Sequence, residues 1–146
     1  MNKQAIIYSL AAIVCSVAGN VHAAEIAQAQ PNVMFCTEEG TNGFYYNQQQ
    51  RRYEATKFNP QRHTVNIRGS FESIEMSTSG VSVTYTMQCH PSRYTEYSHI
   101  RECSDGASYS FTYNTRNNRF TYSMQYGYVY VDDDAIGISY GTCARF

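Results

Sequence analysis

The sequence predicts an all-β fold, an antiparallel sandwich or small barrel of about nine short strands, and three observations predict it. Fourteen Tyr and no Trp, with abundant Thr, Ser and Val, make up the composition of pleated, half-buried surfaces. Apolar and polar residues alternate with period two in short segments. Gly, Pro and Asn clusters punctuate those segments, and no stretch carries a sustained helical period.

Before the strands comes a leader. Lys3 precedes an apolar run over residues 5–17, and a small-residue stretch ends in Val21-His22-Ala23. That layout predicts a secretory signal peptide, residues 1–23, cleaved after Ala23 and taking Cys15 with it. The run is shorter than the roughly 20 apolar residues a spanning helix needs, so no membrane span is expected. Residues 24–32, polar and rich in Ala and Gln, read as a flexible lead-in. A single all-β domain over 33–146 follows, with related halves at 33–90 and 100–146.

Residues 33–36 read as a short strand. Segments 43–47 and 51–58 form a hairpin around Gln48 to Gln50. Asn59-Pro60 stops it, because proline lacks a donor and restricts the residue before it. His63, Val65 and Ile67 alternate with polar neighbours as one face of a half-buried strand. After a turn at Arg68-Gly69-Ser70 comes 71–76, and after Ser79-Gly80 come Val81, Val83, Tyr85, Met87 and Cys89 on one face. His90-Pro91 ends that strand. Residues 93–102 suit a strand and a helical turn equally. Tyr109, Phe111 and Tyr113 alternate with Ser and Thr, Asn117-Asn118 turns the chain, and 119–131 is the longest strand candidate. Asp132 to Asp134 form a turn before the closing strand, 135–143.

Residues 103–120, CSDGASYSFTYNTRNNRF, echo residues 36–53, CTEEGTNGFYYNQQQRRY, with five of eighteen positions identical. Once the leader is gone, Cys36, Cys89, Cys103 and Cys143 remain. An even count in an exported chain predicts two disulfides. Each half opens with one Cys and closes with another, so the duplication favours Cys36–Cys89 and Cys103–Cys143.

The second half also resembles a group of small exported proteobacterial proteins. The residues that carry the likeness are Phe111-x-Tyr113-Asn114, Arg119-Phe120, Gly127-Tyr128, the acidic turn and Ile138 to Cys143. Those proteins share an F-x-x-N…R-F…G-Y…D…I-G-x-C ending. The resemblance implies export and a Cys103–Cys143 bridge, and no activity comes with it.

The mature chain carries ten basic against twelve acidic residues, which gives nucleic acid no attraction. Gly137-Ile138-Ser139-Tyr140-Gly141 matches the G-x-S-x-G string of a nucleophile elbow. An elbow needs an acid and a His downstream, and none follows. Cys89, His90, His99 and Cys103 lack the paired spacing of a zinc site. Asp132 to Asp134 lack the later ligands of a calcium loop. No catalytic residue, metal or cofactor is therefore expected. Tyr122, Tyr126, Tyr128 and Tyr130 share one strand face and are the candidate binding surface, since Tyr joins apolar area to a polar tip. The expected protein is periplasmic or secreted and non-enzymatic. It would bind a protein or glycan, with enzyme inhibition as one form of that role. The alternatives are a small-ligand carrier with a barrel cavity and a hydrolase that uses carboxylates.

Overall fold

A computed structural model describes residues 32–125 and 135–145. Among these the chain forms nine strands: β1 (Val33–Asn47), β2 (Arg52–Lys57), β3 (Arg62–Arg68), β4 (Ser73–Thr78), β5 (Thr84–Pro91), β6 (Ile100–Ser104), β7 (Tyr109–Asn114), β8 (Arg119–Met124) and β9 (Ile136–Arg145). The ambiguous segment before β6 contributes one 3-10 turn, Thr95–Tyr97, and then the strand itself. Neighbouring strands follow the order β1-β3-β4-β5-β6-β7-β8-β9, all antiparallel, and β9 returns to pair with β1. The sheet closes as an eight-stranded barrel with β2 as an extra strand.

Closure removes the sheet edges that an open arrangement would expose. A barrel of eight strands has an interior just wide enough to be filled by side chains. The inward positions accordingly hold Met34, Val65, Ile74, Met76, Met87, Phe111 and Tyr113, all fully buried. One end is stoppered by Phe71, whose ring stacks on Tyr113 at 5.7 Å. The Arg145 guanidinium lies 5.2 Å from the centre of the Phe71 ring and 5.6 Å from that of Tyr113.

β1 is one long strand where the sequence suggests two. Its first part pairs with β3 (Val33 to Thr37) and its last with β2 (Asn42 to Asn47), while β9 runs along the opposite edge. A register shift between Glu38 and Gly40 marks a β-bulge. A bulge adds one residue to one strand and resets which side chains face inward. Glu38 is buried in plain alternation with Met34 and Cys36, and beyond the bulge Thr41, three residues on, joins it inside the barrel, which strict period two forbids.

The internal repeat is half structural. Asn47 and Asn114, equivalent in the two strings, accept backbone N–H bonds from residues two and three further on. Arg51 and Asn118, also equivalent, both have left-handed backbone. Tyr46 pairs with Tyr53 as Tyr113 pairs with Phe120. The hairpin is thus said twice, and the cysteine is not. Cys36 lies on the same strand as its hairpin, whereas Cys103 lies on β6, one strand before it.

That difference overturns the expected disulfides. The bonds are Cys36–Cys143 and Cys89–Cys103. Each joins directly opposed residues of neighbouring strands, β1 with β9 and β5 with β6. Bridging needs close Cα atoms and converging Cβ vectors. Cys36 and Cys89 sit on strands separated around the barrel wall, as do Cys103 and Cys143, so one bridge per half is geometrically barred. A second correction concerns Val81 and Val83, which precede β5 and are about half exposed. Met87 carries the burial expected of that strand.

Candidate functional site

At the end opposite Phe71 the packing gives way to a pocket of about 470 Å³. Its floor is polar and deeply buried. Glu38 is 5% exposed, His63 3% and Ser139 2%. Three strands supply them: Glu38 at the bulge of β1, His63 at the start of β3 and Ser139 inward on β9. Phe58, Val81, Tyr85, Tyr122 and Met124 form the walls.

The Glu38 carboxylate has a donor on every side. Oε1 accepts from His63 Nε2 at 3.0 Å, while Oε2 accepts from the Thr41 hydroxyl at 2.7 Å and the Gln61 backbone N–H at 2.8 Å. The Ser139 hydroxyl is a further donor, and it also stands 3.5 Å from the Tyr122 carbonyl. Burial by itself raises a carboxyl. Here donation from His63, Ser139, Thr41 and Gln61 outweighs it and holds Glu38 at about 2. An ionised carboxylate only accepts, so His63 Nε2 bears a proton. Nδ1 lies 3.0 Å from Thr78 Oγ1, which leaves both ring nitrogens engaged.

Tyr122 stands on the inner face of β8, part-buried against this network, with its ring 5.4 Å from that of His63. Burial, with Tyr85 and Tyr109 close by, raises its phenol, which stays a neutral donor. Among the described residues neither the Tyr122 nor the Tyr85 hydroxyl has a hydrogen-bond partner, and both residues line the pocket.

Of the four tyrosines singled out in the sequence, Tyr122 is thus a pocket wall and not part of an outer surface. Tyr126, Tyr128 and Tyr130 lie outside the described residues, as do Asp132 to Asp134. Cys89 and Cys103, half of the weighed zinc set, are joined to each other. Ser139 of the G-x-S-x-G string does meet a His and an acid, both from upstream. Its hydroxyl faces the carboxylate and not the imidazole, and it lies on an extended strand, so the nucleophile elbow is not formed. Glu38, His63 and Thr78 were missed as a set. His63 was placed on an inward face, but nothing local joins it to Glu38, 25 residues away.

A wider groove of about 570 Å³ crosses the outer wall between Arg119 and Tyr140. It lies on the outward faces of β8 and β9 and holds none of the buried polar groups. Among the described residues no helix is long and apolar enough to cross a membrane. Compared with protein-family models, curated proteins and solved structures, the chain matches none.

Proposed function

We propose that this protein is an exported, non-enzymatic binding protein that holds a small molecule in the mouth of its barrel. The single observation that carries this reading is the mouth pocket. It has the size of small-molecule sites, apolar ring-bearing walls and a few convergent polar groups. The two phenol hydroxyls with no partner among the described residues offer a ligand hydrogen bonds at no cost to the fold. The buried pair supports a positioning role over a chemical one, because both carboxylate oxygens and both ring nitrogens are engaged within the protein. Two disulfides suit an oxidising compartment, in keeping with export on the 1–23 leader. The protein- or glycan-binding surface drawn from the tyrosines ranks behind the pocket, since its described member, Tyr122, faces inward.

Gly137 provides the test. A Cβ placed there makes only ordinary contacts, with the Asn42 carbonyl oxygen and the Phe58 ring at 3.9 Å, and Gly137 lines the pocket, so a larger side chain should fill it. A thermal-shift screen of amphipathic small molecules should find compounds that raise the Tm of the native protein. At a hundredfold excess over Kd the gain is about 2.7 kcal/mol. In Gly137→Leu the same compounds should give no shift. Equal shifts in both proteins, or none in either, would refute the reading.

A further inference from the structure

The mouth pocket is one-signed in charge. Among the described residues its lining contains the Glu38 carboxylate and no Lys or Arg. Hydrogen bonds from Thr41, Ser139 and the Gln61 backbone satisfy the carboxylate oxygens, but these donors are neutral dipoles and leave the charge in place. His63 is the one lining group able to offset it. With the imidazole neutral the pocket holds one net negative charge, and with it protonated, none. An incoming anion finds no Lys or Arg in the lining to pair with. Low-dielectric walls make this difference felt, since a charge acts over longer range where water is excluded. Phe58, Tyr85 and Tyr122 add electron-rich rings, and aromatic faces attract ammonium and guanidinium groups.

We propose that the mouth pocket selects organic cations, an ammonium or guanidinium group on an apolar body, over neutral and anionic molecules of the same shape. Charge complementarity carries the choice: a buried carboxylate as the base, aromatic rings as the walls and no basic residue in the lining. A fatty acid or other carboxylate of the right size would lose its hydration and meet only Glu38 and neutral groups. A cation keeps favourable electrostatics without displacing any of the bonds to Glu38. The proposal rests on the reading of the pocket as a ligand site, and the test separates the two.

Three probes share one shape: benzyltrimethylammonium, its neutral isostere neopentylbenzene and the anion benzylsulfonate. NMR titration of the disulfide-bonded protein reads their relative affinities. The cation should bind about tenfold or more tightly than the neutral probe, and the anion more weakly than both. Glu38→Gln should erase the preference. Should that variant fold poorly, Val81→Lys serves instead, since Val81 is about half exposed at the rim. The added ammonium should weaken the cation about tenfold more than it weakens the neutral probe. Equal binding of cation and neutral probe, abolished for both by Gly137→Leu, would overturn the selectivity while sparing the pocket. No binding by any probe, or binding that survives Gly137→Leu, would overturn both.

Discussion

Glu38 shows how a costly residue is made stable. A buried ionised carboxylate is tolerated only when it is paired and hydrogen-bonded, and here four donors surround it. Its folded value of about 2 lies below the ordinary 4.5. Ionised Glu38 therefore favours the folded state at every pH above its ordinary value, and this contribution is lost as the pH falls from 4.5 towards 2. The difference is worth about 3 kcal/mol. Urea unfolding between pH 5.5 and pH 2.5 should show the native protein losing most of that amount beyond what Glu38→Gln loses. At pH 7 the variant should be less stable by about 3 kcal/mol, because His63, Thr41 and the Gln61 N–H lose a charged acceptor. Matching acid profiles for the two proteins would show that Glu38 is not held ionised by this network.

At the scale of the element, β9 explains the string that resembles a nucleophile elbow. Gly137, Ser139 and Gly141 are alternate residues of one strand, so all three face inward with Cys143. A Cβ at Gly141 would collide with the Thr37 carbonyl oxygen and come within 2.9 Å of the Phe120 ring. Glycine there lets β9 approach β1 along the seam of the barrel. A Cβ at Gly137 would make only ordinary contacts, with the Asn42 carbonyl oxygen and the Phe58 ring at 3.9 Å. Gly141→Ala should therefore cost about 3 kcal/mol, whereas Gly137→Ala should stay within about 0.5 kcal/mol of the native protein. Chemical denaturation of the two variants measures this, and equal costs would deny the asymmetry. The motif reads as packing, with its serine at the polar floor.

Across the whole molecule, the two disulfides do unequal work. Cys36–Cys143 spans 107 residues and ties the first strand of the barrel to the last, whereas Cys89–Cys103 spans 14. In the chain-entropy model a crosslink restrains the unfolded chain more as its loop grows, giving about 5 kcal/mol for the long loop and about 3 for the short one. The double variant Cys36→Ser/Cys143→Ser should thus unfold at lower urea than Cys89→Ser/Cys103→Ser. The reverse order would indicate that the short bridge holds native geometry in a way loop length ignores. A non-reduced peptide map should show the same two pairs.

Alternation, turn residues and cysteine parity determined much of this protein by themselves. They marked most of the strands, the two repeated hairpins, the inward face of His63, Val65 and Ile67, and the engagement of four cysteines in bridges. These are local properties, written in residues close together along the chain. Disulfide partners and the pocket were decided by closure. Cys36 faces Cys143 only because β9 returns to β1, and no local pattern reports which strands become neighbours. Thr41 enters the interior beside Glu38 only because a bulge resets the parity of β1, and Glu38 meets His63 only across the β1–β3 pairing and Ser139 only across the β1–β9 seam. The charge of the mouth pocket follows from those long-range contacts, which sets it beyond the reach of period and composition.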